Sequence, residues 1–500
     1  MQEPKRLITA SMLYNHLACP HRVAMDAFGD WRLRDAVSPF VEMLWARGNK
    51  YEADVIAAVG QPYLDLSALK GDEKEAATRA AIARGETLIY NGRLSGDGLL
   101  GEPDLLRREG DGYVAIDIKS GAGEESAGEE DEGKLKVHYG VQVALYTELL
   151  TQLGVAAGRY GYIWDVHGEE VRYDLDAPLG KRDPSDTLWA RYRAARYEVA
   201  QILERQARST PAAATVCKQC VWRSACLAQV KATDDLTLLP ELGRSKRDIL
   251  APELPTVHAL AAADVGGYIK GTKTAFPGIG ADTLRRLQAR AQLMLRPGAT
   301  PYFRDPVDLP PVGLELFFDI ETDPLRDLCY LHGFVVRRNG DAATEKFVAF
   351  FAEAETAAAE RDAFAAAWDF MRQHPGAVIV YYSKYEPTVY RKLAEKYPEV
   401  CSRNEVEALS EPPRSFDLYF DAVKRSEWPT MDYSVKTLAK FCGFRWRDTD
   451  PSGASSIQWF DEWVSTRDPA IRQRILDYNE DDCVAMRVVR DRMRGMGVGA

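Results

Sequence analysis

The stretch Gly101-Glu102-Pro103-Asp104, followed by Tyr113–Gly121 (YVAIDIKSG), decides how the first half of the chain is read. Tyr113 to Ile118 is apolar and rich in β-formers, so a strand is expected there. Residues two apart on a strand project to the same side, which places Asp117 beside Lys119 at its end. A second carboxylate, Asp104, brought alongside by a neighbouring strand, would complete a pair of hard oxygen ligands for Mg²⁺ or Mn²⁺. The lysine can then position or activate an attacking water and stabilise phosphate charge in the transition state. A single Asp-x-Lys is a short pattern, and a salt bridge at a strand end is its ordinary reading. Its neighbours argue for more: Gln142 and Tyr146 follow closely and share one face of a helix expected from about Val137 to Leu150.

Taken in order, GEPDLL, AIDIKSG and QVALY resemble the motifs of the PD-(D/E)XK nucleases of the RecB family. The resemblance implies a restriction-endonuclease-like fold, metal binding by Asp104 and Asp117, and catalysis by Lys119. It also implies substrate-phosphate or site-shaping contacts from Gln142 and Tyr146. The family usually has a histidine on an upstream helix, in a Gly-x2-His-Glu-like context. This chain has Gly48-Asn49-Lys50-Tyr51-Glu52, with tyrosine in the histidine's place, so that either Glu52 substitutes as a metal ligand or one ligand is missing.

The chain restarts at Leu314 with LELFFDIETD, a strand whose Asp319 and Glu321 point the same way. Strand VIVYY (Val378–Tyr382) leads into SKYEPTVYRKL, which offers Glu386. Near the end, ILDYNEDDCVAMRVV is a helix with Tyr478 and Asp482 four apart. Three or four carboxylates from separate elements are what a two-metal phosphodiesterase needs to clamp the attacking and leaving oxygens. In this order they resemble the DEDD exonucleases of the ribonuclease-H-like fold, in the tyrosine subgroup. The resemblance implies metal binding by Asp319, Glu321, Glu386 and Asp482, water orientation by Tyr478, and 3′–5′ exonuclease action. That family usually has aspartate where Glu386 stands. Asp481 shares the helix face and competes with Asp482, which the Tyr-x3-Asp spacing favours. Asp417 is expected to be structural.

Eight cysteines divide into two groups. Cys329, Cys401, Cys442 and Cys483 are scattered in hydrophobic contexts and are expected to be buried thiols. Cys19, Cys217, Cys220 and Cys226 form a candidate set, and in a cytoplasmic chain clustered cysteines point to metal rather than disulfide. Four thiolates bind zinc or a [4Fe–4S] cluster. One cysteine before the nuclease core and three after it is similar to the iron–sulfur nucleases of the AddB and CRISPR-associated RecB-like types. There the cluster staples the two ends of the fold. Iron–sulfur is the expectation here and zinc the alternative.

Between the two motif sets, residues 233–295 read as helical, with one Gly-rich hairpin at Pro277-Gly278-Ile279-Gly280. It resembles a helix–hairpin–helix element, in which Gly278 and Gly280 let backbone N–H groups approach a phosphate at the next helix's N-terminus. Arg285, Arg286 and Arg290 would add charge, and LPELGRSKRDIL from Leu239 is a weaker echo. An ordinary Gly-Pro turn opening an amphipathic helix is an equal alternative. A Pro-rich connector runs from Arg296 to Gly313, and a stretch rich in Glu from Ala122 to Gly133 reads as a solvated loop.

A chain of 500 residues is too long for one core. The expected division is 1–232 (PD-(D/E)XK, with the four cysteines), 233–305 (a small all-helical insert and linker) and 306–500 (ribonuclease-H-like). The fold class is α/β multidomain. The net charge of −11 argues against coating nucleic acid through bulk charge, but acidic metal ligands become cationic sites once ions arrive. No run of about 18 apolar residues and no leader of signal-peptide type occurs, so the protein is expected to be cytoplasmic, with no membrane partner. No Walker A pattern occurs either, so no P-loop motor is expected, and a helicase acting in trans is the expected partner. The functional expectation is phosphodiester hydrolysis of DNA, with RNA the second choice. The alternative is a non-catalytic nucleic-acid-binding scaffold with one or both sites decayed.

Overall fold

The computed structural model describes residues 6–125 and 134–499. Most of the acidic stretch expected as a loop, residues 126–133, lies outside the described residues. The chain divides into two compact units, Met1–Pro211 with Thr215–Leu227, and Ala212–Ala214 with Ala228–Ala500.

The first unit is built on a six-stranded sheet. Its strands are β1 (Leu64–Asp65), β2 (Leu88–Tyr90), β3 (Leu105–Glu109), β4 (Gly112–Ile118), β5 (Tyr160–Trp164) and β6 (Glu170–Asp174), and they lie side by side in chain order. β3 and β4 form an antiparallel hairpin, whereas β4 and β5 run parallel with Asp117 opposite Ile163. Every residue of β4 is buried, which suits its near-continuous apolar sequence. Seven helices serve the site and its support: α1 (Ala10–Ala18), α2 (Pro20–Phe28), α3 (Pro39–Ala57), α4 (Gly71–Arg84), α5 (Val137–Gln152), α6 (Leu188–Leu203) and α7 (Arg223–Ala232).

Helix α5 is the core helix. Val141, Val143, Ala144, Leu145, Tyr146, Leu149 and Leu150 are all buried, so it is apolar nearly all round and packs on several sides. It also explains the glycine of GEPD. A Cβ on Gly101 would lie 2.7 Å from the Tyr146 ring and 2.9 Å from Leu149, so only a residue without a side chain lets α5 settle there.

In the second unit a helical insert precedes the sheet. Its last helix is α8 (Ala281–Leu295), with Gly280 at the N-cap. The insert is helical apart from one two-residue ladder, Ile269–Lys270 with Lys273–Thr274, whose turn is closed by Gly271 at φ +64°. Leu284, Leu287 and Ala291 of α8 face a core shared with Leu236, Leu250 and Leu260.

The sheet that follows has five strands: β7 (Leu314–Asp323), β8 (Leu328–Arg338), β9 (Asp341–Phe351), β10 (Val378–Tyr381) and β11 (Ser415–Asp417). Their order is β9-β8-β7-β10-β11, antiparallel through β9-β8-β7 and parallel through β7-β10-β11. Helices α9 (Tyr385–Lys396), α10 (Val435–Phe441) and α11 (Pro469–Arg494) carry site residues. Helix α11 lies against β7 and β8, burying Ile475, Tyr478, Ala485, Met486 and Val489. Its close approach depends on Gly333, which pairs with Asp319 across the ladder. A Cβ there would fall 1.6 Å from the Asn479 side-chain oxygen, so any larger residue would displace the amide that donates to Asp319.

Candidate active sites

In the first unit, Asp104 sits in the turn before β3. Its Oδ2 accepts from the Ile118 backbone N–H at 2.6 Å, which pins the turn against the end of β4. Asp117 is buried, and Lys119 Nζ lies 2.8 Å from its Oδ2. Burial pushes the Asp104 carboxyl well above the usual carboxylate range. The Asp117 charge raises it further, Glu52 adds to this, and Lys119 opposes it. Burial alone would lower the Lys119 ammonium, but Asp117 and Asp104 outweigh it and hold the group above its ordinary value. Lys119 is thus a fixed cation between two acids.

Tyr146 is buried, and its phenol is pushed well above its usual value by burial and by the charges of Asp117 and Asp104, so it stays neutral beside them. Gln142, half-buried, stands one turn earlier on the same face of α5. Glu52, on α3, accepts from the Tyr90 hydroxyl at 3.0 Å. Tyr51 donates its hydroxyl to the Asp165 backbone carbonyl, so the residue in the histidine's place braces a loop.

The cysteines come from three elements. Cys19 is the hinge between α1 and α2, Cys217 lies in the short helical turn Thr215–Gln219, Cys220 just follows it, and Cys226 is on α7. All four are half-buried. Burial pushes the Cys220 thiol up, and Cys217 and Cys19 are near enough to push it further. The returning segment is tied to the N-terminal part of the chain: buried Trp222 donates to Asp26 of α2 at 2.7 Å, and Ser224 N–H to Asp35, in the segment before α3, at 2.9 Å. Thiols from both ends of the unit thus come near one another at Cys220, and thiolates are donors that suit an iron–sulfur or zinc centre.

The second unit gathers its acids more tightly. Among the described residues, Asp319, Glu321 and Asp482 form the one group of three metal-ligating side chains whose ligand atoms all lie within 4.8 Å of one another. The ±2 period of β7 puts Asp319 and Glu321 on one face, and α11 brings Asp482 over them. Asn479 donates to Asp319 Oδ2 at 2.7 Å, and Trp446 Nε1 donates to Asp482 Oδ1 at 2.7 Å, fixing two of the three carboxylates. Tyr478 is buried beside them, with the Lys436 ammonium 2.6 Å from its hydroxyl.

Glu386 is placed outside the trio, in the first turn of α9. Its charge still reaches Asp319, but one carboxyl oxygen is buried with no hydrogen-bond partner. It lines, with Phe318, Tyr381 and Ser415, a cavity of about 20 Å³, the size of one water. Asp481 is drawn off to Arg447, accepting from its backbone N–H at 2.7 Å and its Nε at 2.9 Å, which leaves the site to Asp482. Asp417 accepts from the N–H groups of Ser383, Tyr419 and Phe420, a capping role.

In the insert, Gly278 has φ +75° and Arg285 is exposed on α8. Arg290 corrects the expectation that it adds phosphate-binding charge. It is buried, with Nε 2.6 Å from Glu427 and Nη1 3.0 Å from Glu241, so it holds the insert to the part that carries the five-stranded sheet.

Burial raises the pKa of all three clustered acids. Asp319 lies well above its ordinary value and Asp482 above its own, while burial and the Asp482 charge push Glu321 up to about 8. A carboxyl with a higher pKa in the fold than in the open chain binds its proton more tightly when folded. Its contribution to stability is full below the open-chain value and is lost as pH rises through the folded-state value, about 8 for Glu321. A divalent cation that needs the ionised acids should reverse that loss. We therefore expect Mg²⁺ to raise the thermal midpoint by roughly 5–10 °C at pH 8 when it is about 100-fold above its dissociation constant. The gain should shrink toward pH 5 and be absent in Asp319→Asn/Asp482→Asn. Melts from pH 5 to 8.5, with Mg²⁺ or with chelator, measure it. A Mg²⁺ gain independent of pH would contradict the assignment.

Residues 21–227 match the PD-(D/E)XK nuclease superfamily, and residues 316–494 match the RNase H superfamily. The chain thus carries one domain of each of two nuclease superfamilies, in a mixed α/β architecture. No curated protein matches the chain. Among the described residues no helix is long and apolar enough to cross a membrane.

Proposed function

We propose that the chain is a metal-dependent nuclease hydrolysing the phosphodiester bonds of nucleic acid, DNA before RNA. It has a RecB-like site in the first unit and a DEDD-type 3′–5′ exonuclease site in the second. The observation that carries the reading is the Asp319–Glu321–Asp482 trio, three hard oxygen donors on two elements with a neutral tyrosine beside them. Asp319, Glu321 and Asp482 would hold Mg²⁺ or Mn²⁺, with Glu386 the fourth acid of the set. Asp104, Asp117 and Glu52 would hold metal in the first unit. Bound there, the metal supplies an activated water and neutralises charge on the phosphate.

The protein's own groups do the rest. Tyr478 orients the water by a hydrogen bond, and Lys119 presents an ammonium to the phosphate oxygens. Gln142 and Tyr146 shape the first site. Gly278, Gly280 and Arg285 contact the nucleic-acid backbone without reading sequence, as a helix N-terminus can. Cys19, Cys217, Cys220 and Cys226 would hold a [4Fe–4S] cluster as a staple, with zinc the alternative. A helicase acting in trans would supply unwound ends.

The test uses the full chain on end-labelled single- and double-stranded DNA and RNA with Mg²⁺ or Mn²⁺. Hydrolysis that disappears with chelator is expected, with mononucleotides released from 3′ ends when Lys119→Ala silences the first site. Binding without hydrolysis on every substrate would overturn the reading in favour of a nucleic-acid-binding scaffold.

A further inference from the structure

Lys436 stands at the edge of the second site without belonging to its acid set. It is the second residue of α10, a helix capped by the Ser434 hydroxyl, and it is half-buried. Its Nζ makes two hydrogen bonds, to the Pro451 carbonyl at 2.9 Å and to the Tyr478 hydroxyl oxygen at 2.6 Å. The same nitrogen lies 4.6 Å from the centre of the Tyr478 ring but 3.8 Å from the nearer Asp482 oxygen, beyond hydrogen-bond reach.

An ammonium has three donors and no acceptor. Its bond to Tyr478 therefore occupies a lone pair on the phenol oxygen, and the phenol's own O–H must turn elsewhere. The side left open faces the acid set, whose Asp482 lies one turn further along α11 and close enough to act on the Tyr478 hydroxyl. The chain of donors runs from Lys436 through Tyr478 to the acid set, and the Pro451 carbonyl anchors its far end. A tyrosine lacking that neighbour would be free to rotate its hydroxyl out of the site.

We propose that Lys436 is a positioning residue of the second site: it fixes the Tyr478 hydroxyl so that its O–H points at the place where the attacking water is held. The proposal rests on the reading of Tyr478 as the water-orienting group. It separates Lys436 from a charge that merely offsets the acids, because its effect should pass through Tyr478.

A double-mutant cycle in the full chain tests this, with Lys119→Ala as the parent so that only the second site is read. Lys436→Met should lower kcat by about 10²-fold with KM within about threefold. In a Tyr478→Phe background the same change should cost less than about threefold, since the group through which it acts is gone. Lys436→Arg, which keeps donors and charge, should recover about tenfold of the loss. Mn²⁺ affinity, read by paramagnetic resonance of the free ion, should stay within about threefold in each variant, a readout independent of turnover.

Equal losses in the two backgrounds, no loss at all, or a fall in Mn²⁺ affinity matching the fall in rate would each overturn the proposal. Should Lys436→Met not fold, Lys436→Gln takes its place in the same cycle. A parent chain that hydrolyses nothing with either metal defeats the nuclease reading of the site and the proposal with it. An active parent with a fully active Lys436→Met defeats the proposal alone.

Discussion

Lys119→Ala, made in a full chain whose second acid set is removed by Asp319→Ala and Asp482→Ala, is expected to slow metal-dependent cleavage by about 10³-fold. The affinity for DNA should change by less than about threefold, because an interaction confined to the transition state lowers kcat without loosening the ground state. The structure sets the expected role. Lys119 Nζ lies 2.8 Å from Asp117 Oδ2, so it stands at the acids as a donor and a charge. Lys119→Arg should therefore retain more activity than Lys119→Gln, which keeps a polar end but no charge. Single-turnover cleavage, with DNA binding measured in parallel, gives both quantities. A Lys119→Ala protein cleaving at the parent rate would remove the first site from the enzyme. The two activities should also be separable, since each acid set lies within one compact unit. Asp117→Ala should leave 3′-end trimming intact, and the Asp319→Ala/Asp482→Ala parent should keep cleaving through the first site.

The candidate residues of both sites were legible in the sequence because they sit on regular periods, and three of them, Asp319, Glu321 and Asp482, come together in the fold. Asp117 with Lys119, and Asp319 with Glu321, are two apart on strands. Gln142 with Tyr146, and Tyr478 with Asp482, are four apart on helices. Those spacings place side chains together without knowledge of any tertiary contact. What escaped is what depends on distant pairing. Asn479 is adjacent in sequence to Tyr478, yet its bond to Asp319 follows only from α11 crossing β7 opposite Gly333. Trp446 and Lys436 reach the site from a loop and a short helix, and no spacing rule connects them to Asp482 or Tyr478. Arg290 misled for the same reason. It lies on the helix whose N-terminus suggests phosphate binding, but the face it occupies is inward, toward Glu427. The glycines could be read as turn or hairpin residues only where a turn followed. Gly101 and Gly333 are glycine because a helix packs onto their strand, which no local pattern reveals.

Cys220→Ser is expected to cost the first unit both the iron–sulfur centre proposed for its four cysteines and much of its stability. Residues 215–227 lie far along the chain from α1 and α2, and two hydrogen bonds from Trp222 and Ser224 help hold them there. Such bonds contribute only about 1 kcal/mol each, little against the entropy of ordering a returning segment. A thiolate-ligated centre supplies more, because its binding free energy is realised only in the fold. Burial also holds the Cys220 thiol above its usual pKa, so a bare thiol there is unreactive and a bound cation is what would deprotonate it. Anaerobically purified protein should be brown and contain iron and acid-labile sulfide. Cys220→Ser should lose both and lower the first unit's thermal midpoint by at least about 10 °C, the equivalent of several kcal/mol. Cys442→Ser, outside the set, should keep its iron and serves as the control. Zinc in place of iron would reassign the centre without removing the staple. A Cys220→Ser protein with no metal and an unchanged midpoint would show that packing alone, through buried Trp222 and the helices it touches, closes the fold.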